Sequence, residues 1–181
     1  AGLVNKNIVA SLQALGVNAL GLTGADLGYM LSAKRPIKNG IDYGFVGDVK
    51  SVNSDLLAKL IADGVVPILA PLTHDGQGSM LNTNADTIAG EAAKALSKHF
   101  DVTLVYCFEK KGVLRDENDD DSVIAEINED DFKKYVADGT IQGGMIPKLE
   151  NAFAAISAGV SKVVITKADQ LGKVGGTTIV K

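Results

Sequence analysis

Residues 65–107, VVPILAPLTHDGQGSMLNTNADTIAGEAAKALSKHFDVTLVYC, decide the fold. Val65–Ala70 is a short apolar run of the kind a buried strand needs. Pro71–Ser79 is loop by composition. From Asp86 to about His99 the residues Ile88, Ala92, Ala95 and Leu96 share one side of a helix. Val102–Cys107 is a second apolar, β-branched run. Strands alternating with helices predict an α/β architecture with a mainly parallel sheet.

Both flanks extend the pattern. Val4, Ile8, Val9, Leu12 and Leu15 predict an amphipathic opening helix that stops at Gly16. Val17–Leu22 reads as a strand broken by the turn Thr23–Asp26. Residues 29–52, with Gly40, Gly44 and Gly47, read as a hairpin or excursion. Ser54 is placed to cap a helix over Asp55–Asp63, with Gly64 beyond its end. On the C-terminal side a charged loop covers Glu109–Asp121. Asn128, followed by Glu129, Asp130 and Asp131, starts a helix bearing Phe132, Tyr135 and Val136 and ended by Gly139. A further helix runs from about Ile146 to Ala158 with Pro147 in its first turn, and Lys162–Ile165 and Thr177–Val180 are closing strands. No repeat or linker divides the chain, so residues 1–181 read as a single domain.

With 181 residues, 46% of them hydrophobic, there is chain enough for a sizeable core. The formal net charge of -4 gives no global positive field, which argues against nucleic acid and anionic membranes as partners. Any anionic ligand must be held locally. The one cysteine, Cys107, cannot form an internal disulfide, and His74 and His99 lie too far apart in sequence to suggest a metal cluster. A reducing, cytoplasmic setting is expected. No apolar run approaches the ~20 residues that span a bilayer, and AGLVNKNIVA has no signal-peptide pattern. The first residue is not Met, and the opening segment reads as the middle of a larger design.

In parallel sheets ligands bind beyond the carboxyl ends of strands. That singles out Thr23–Asp26, Pro71–Asp86, Phe108–Asp121 and Gly143–Lys148. There is no GxxxxGK[ST], and the glycines of Gly21–Gly28 are spaced wrongly for GxGxxG. Gly143-Gly144-Met145-Ile146-Pro147-Lys148 would join free backbone N–H groups, a helix dipole of ~0.5 charge and an ammonium, a combination suited to phosphate. An ordinary Gly-rich loop with a surface lysine fits the same residues. Asn82-Thr83-Asn84-Ala85-Asp86 also has two readings: Asn84 caps a helix and Asp86 complements its dipole, or Asn82 contacts substrate and Asp86 orients a lysine. The two motifs together favour phosphoryl transfer. The acids of Asp116–Asp121 lack the EF-hand pattern and read as a solvated loop, and His74-Asp75 has no accompanying nucleophile.

The ordered set AGLVNKNIVASLQALG (1–16), GLTGAD (21–26), YGFVGDV (43–49), LNTNADTIAGEAA (81–93), GGMIPK (143–148) and GGTTI (175–179) resembles the amino-acid kinase superfamily, and within it the branch acting on N-acylated glutamates. The resemblance covers essentially the whole chain and implies a three-layer αβα sandwich. It implies transfer of the γ-phosphoryl of ATP, as its Mg²⁺ complex, to the γ-carboxylate of an N-acylglutamate in arginine biosynthesis, the acyl group preventing cyclisation. Lys148 would stabilise the transferring phosphoryl, Asp86 would hold the catalytic lysines, and Asn82 and Asn84 would line the substrate side. Glu109, Lys111, Gly112, Leu114, Ile141 and Gln142 match the nucleotide-binding region, although the family more often has an Asp and small residues where Glu109, Lys110 and Lys111 stand. The family also places a phosphate-binding strand, a second Gly-rich loop and a substrate-binding arginine ahead of the segment that starts at Ala1. The 181 residues are therefore expected to be most of a kinase domain lacking its N-terminal strands, inactive alone, and part of a homo-oligomer when complete. The alternative is a non-catalytic nucleotide- or amino-acid-binding module on the same fold.

Overall fold

The computed structural model describes residues 1–173 and 175–181, which form two compact units, Ala1–His99 and Phe100–Lys181.

In the first unit, helix α1 (Gly2–Ala14) precedes strand β1 (Ala19–Leu22), which pairs in parallel with β4 (Val66–Leu69). Strands β2 (Met30–Lys34) and β3 (Gly47–Val52) form the expected hairpin. Helix α2 (Ser54–Ala62) follows, but its cap is Asn53, whose side chain accepts the Leu56 N–H at 3.1 Å. Ser54 is already inside the helix, so the cap expected there lies one residue earlier. The stretch expected to be loop contains β5 (Leu72–His74), antiparallel to β6 (Met80–Asn82) and parallel to β2. Helix α3 (Ala85–Leu96) closes the unit, burying Ile88, Ala92 and Ala95 as the periodicity predicts. Its core gathers Leu22, Tyr29, Met30, Leu57 and Ile88.

The orientation of α1 departs from expectation. Leu3, Val4, Ile8 and Leu15 are exposed, while Asn5 is buried. Asn5 Nδ2 donates to the Ile68 carbonyl and Lys6 Nζ to the Gly21 carbonyl, each at 2.8 Å. Gly21 is required here, since a side chain would collide with Asn5. Periodicity located the helix, but hydrogen bonds to β1 and β4 leave Val4, Ile8 and Leu15 of the expected stripe facing outward, while Val9 and Leu12 are half-buried.

In the second unit, β7 (Thr103–Phe108), β9 (Lys162–Lys167), β10 (Thr177–Ile179) and β8 (Glu126–Ile127) lie side by side in that order. The outer pairings are parallel and the β9–β10 pairing is antiparallel. Helix α4 (Glu129–Ala137) begins at Asn128, whose side chain accepts the Asp131 N–H at 2.8 Å, as expected. Helix α5 (Met145–Ser157) buries Leu149, Ala152, Phe153, Ala155 and Ile156 and packs on β9 and β10. Across the described residues the chain is thus α/β with parallel pairing prominent. No described helix is long and apolar enough to cross a membrane.

Candidate active site

The expected site residues fall into two groups, one in each unit. Asn82, Asn84 and Asp86 stand where β6 leads into α3. Asn84 caps that helix, its Oδ1 accepting the N–H groups of Asp86 and Thr87 at 2.8 and 3.2 Å. Asp86 follows in the first turn, where a carboxylate complements the helix dipole. Asn82 has an exposed side chain, and its main-chain N–H donates to the Phe45 carbonyl at 2.7 Å. Beneath this turn the buried hydroxyls of Thr73 and Thr83 are 2.9 Å apart, and Thr83 Oγ1 also donates to the Gly47 carbonyl at 3.2 Å. Gly47 leaves no room for a Cβ against Leu81 and these hydroxyls. The asparagines are therefore presented by a fixed strand end.

Two other loops of this unit are shaped by their own hydrogen bonds. Asp26 accepts the Thr23 N–H and hydroxyl at 2.6 and 2.7 Å, bonds that hold its carboxyl below the usual 3.8. His74 Nδ1 accepts the Gly76 N–H, and Asp75 accepts the N–H groups of Gln77 and Ser79, so the pair shapes a turn.

In the second unit Lys148 lies one turn into α5. Its ammonium sits over the rings of Tyr106 and Phe108, 5.4 and 5.1 Å from their centroids. Those residues alternate on one face of β7, at its carboxyl end, so a cation is held where the fold class places ligands. Of the amides expected to be free at this helix start, those of Met145 and Ile146 donate to the Gln142 and Gly143 carbonyls at 3.2 and 3.3 Å. Pro147 has no N–H.

Gly112, Leu114, Ile141 and Gln142 line one cavity of about 330 Å³, a size within the range of small-molecule sites. Lys110, Asn118 and Met145 line it as well. Sequence reasoning did not single out Asn118 or Met145, although Met145 lies inside the GGMIPK motif and Asn118 is the one amide within the acidic run. Glu109 and Lys111 are exposed and outside this lining. The acidic run folds back on the lysines before it: Lys111 Nζ is 2.6 Å from Asp121 and Lys110 Nζ is 3.2 Å from Asp120. The hydrogen-bonded Lys111–Asp121 pair raises the lysine's pKa and lowers the carboxyl's. Both groups are exposed, so the pair tethers a loop and adds little stability.

The second unit thus holds the Lys148 ammonium at a strand end and, separately, a cavity lined by Gly112, Leu114, Ile141 and Gln142. The chain belongs to the amino acid kinase family, whose pattern matches residues 1–167. It is similar to the acetylglutamate kinase of Bacteroides thetaiotaomicron, with 73% identity over 180 residues, covering 99% of this chain and 70% of that protein. Among solved structures, a Streptococcus mutans protein aligns with a TM-score of 0.80 at 31% identity, over 98% of this chain and 67% of that one. An N-acetylglutamate synthase from Neisseria gonorrhoeae, solved with coenzyme A and N-acetyl-glutamate, shares the fold with a TM-score of 0.84 at 20% identity, over 99% of this chain and 42% of that one. The expected family and the α/β fold are borne out.

Proposed function

We propose that this protein transfers the γ-phosphoryl group of ATP to the γ-carboxylate of N-acetyl-L-glutamate, forming an acyl phosphate and ADP in arginine biosynthesis. The 73% identity to an acetylglutamate kinase across almost the whole chain carries the reading. The family match over residues 1–167 runs through both units, which supports residues 1–181 belonging to one kinase domain of which they are the larger part.

In this reaction a carboxylate oxygen forms a bond to the γ-phosphorus as the bond to the β,γ-bridging oxygen breaks, and the electron pair leaves with ADP. Negative charge spreads over the transferring group, so catalysis is positioning and charge stabilisation. Lys148, steadied by two aromatic rings, is assigned to that charge. Gly112, Leu114, Ile141 and Gln142 are assigned to the nucleotide, together with Lys110. The exposed lysine–carboxylate pair leaves Lys111, and with it Glu109, at the cavity's outer margin. Asn82 is assigned to the acylamino acid, Asn84 to the same side while capping α3, and Asp86 to orienting charge. Magnesium enters as the ATP complex, a mode in which phosphates supply much of the coordination.

The acidic balance and lone cysteine support a cytoplasmic enzyme that binds no nucleic acid or membrane. The exposed apolar face of α1 supports a homo-oligomer. The test supplies the complete gene product with MgATP and N-acetyl-L-glutamate and traps acyl phosphate with hydroxylamine. Hydroxamate formation that depends on both substrates is expected. ADP binding without any turnover would instead make the protein a binding module.

A further inference from the structure

We propose that Thr177, on β10, is a positioning residue for the nucleotide cavity, an inference that rests on the kinase reading above. The cavity wall at Gly112, Val113 and Leu114 belongs to an excursion whose two legs return side by side. Leu114 bridges Val123, Ile124 N–H donates to the Val113 carbonyl at 2.8 Å, and Arg115 N–H donates to the Ser122 carbonyl at 2.9 Å. One hydroxyl anchors both legs to the sheet. Thr177 Oγ1 accepts the Val113 N–H at 2.8 Å and donates to the Ile124 carbonyl at 2.7 Å.

The surroundings leave no substitute for that hydroxyl. Thr177 is 0% exposed, Val113 2% and Ile124 4%, so solvent does not reach the groups it satisfies. A Cβ on Gly112 would lie 2.8 Å from Thr177 Oγ1 and 2.9 Å from Val123 Cγ1. The excursion therefore reaches the sheet only because residue 112 has no side chain and residue 177 has a hydroxyl. Valine at 177 keeps the shape and removes the bonds, leaving the buried Val113 N–H in the wall of the cavity and the buried Ile124 carbonyl behind it unpaired. Relief comes from moving the excursion, which displaces the cavity lining.

The experiment is steady-state kinetics on the complete gene product and its Thr177→Val, Thr177→Ser and Gly112→Ala variants, varying MgATP and N-acetyl-L-glutamate separately, with melting curves for each. Thr177→Val should raise KM for ATP about tenfold, equivalent to about 1.4 kcal/mol, and leave KM for the acyl acceptor within about twofold. Thr177→Ser, which keeps the hydroxyl, should restore the ATP KM to within about twofold of the parent. Gly112→Ala presses on the same contact from the other side and should also raise the ATP KM selectively. The inference is overturned if Thr177→Val has the parental ATP KM, if both KM values rise together, or if serine fails to rescue. Should the valine variant not fold, a parental ATP KM in Gly112→Ala overturns it equally. A parent protein that neither binds ATP in calorimetry nor turns over overturns the kinase reading itself, which is a separate result.

Discussion

Replacing Phe108 with Leu removes one of the two rings beneath the Lys148 ammonium while filling much of the same space. The ring lies 5.1 Å from the ammonium and is half-buried, so its attraction contributes about 0.5–1 kcal/mol to holding the lysine in place. Tyr106, at 5.4 Å, remains. Losing that increment reduces the fraction of protein with the ammonium correctly placed, and kcat should fall about two- to fivefold. Complete removal of the charge in Lys148→Ala should cost far more, about 10²- to 10³-fold in kcat, with a smaller change in KM for ATP. The assay is hydroxamate formation at saturating MgATP and N-acetyl-L-glutamate, run on the parent, both single variants and the double variant. If Phe108 acts through Lys148, the Phe108→Leu change has no further effect once Lys148 is alanine. An equal loss of kcat in both backgrounds would refute the reasoning and make Phe108 a packing residue.

Four other outcomes are expected. Tyr29 is fully buried with its hydroxyl unpartnered, and burial, reinforced by Asp26, pushes its pKa up to about 12. Tyr29→Phe should therefore melt no lower than the parent at pH 7 and should abolish the fall in stability that the parent shows between about pH 10 and 12, where the unfolded tyrosine ionises first. Asp26 is held below 3.8 by Thr23, so its contribution is present above that pH and disappears as pH falls below it. Melting of Asp26→Asn should trail the parent at pH 7 and converge with it as the pH falls below 3.8, and a gap independent of pH would contradict this. Asn84→Ala removes the acceptor for two helix N–H groups and should cost about 0.5–2 kcal/mol, lowering Tm by about 2–8 °C. Asn82→Ala, by contrast, should raise KM for the acyl acceptor at nearly unchanged Tm.

Much of the fold was legible wherever local chemistry decided it. The run that became β4 is apolar from end to end and that of β7 is so after Thr103, α3 repeats its buried residues at helical spacing, and Asn128 precedes three acids at the start of α4. Strands β5 and β8 were not legible, because three and two residues carry no period and exist only through pairing, Leu72 with Asn82 and Glu126 with Thr178. The cap at Asn53 was missed because Ser54 is an equally good capping residue one position later. In the site, Lys148 stood out by its motif, whereas its seat on Tyr106 and Phe108 depends on a strand some 40 residues earlier. The Met145 and Ile146 amides read as free because a sequence does not show which carbonyls turn back upon them. Ile141 and Gln142 join Gly112 and Leu114 around one cavity only through the fold, and resemblance to the family had to stand in for that proximity.

The bonds from Asn5 and Lys6 bear on how α1 presents itself. Hydrogen bonds are directional, whereas a greasy stripe against a sheet tolerates small rotations. Turning α1 by one residue, about 100°, would break the bonds to the Ile68 and Gly21 carbonyls together and leave a buried amide unpaired. The helix is thus keyed at a single angle, and Leu3, Val4, Ile8 and Leu15 face outward as a surface of fixed geometry. Asn5→Leu would exchange that key for a slippery contact, loosening the angular register of the outer face while leaving its composition untouched.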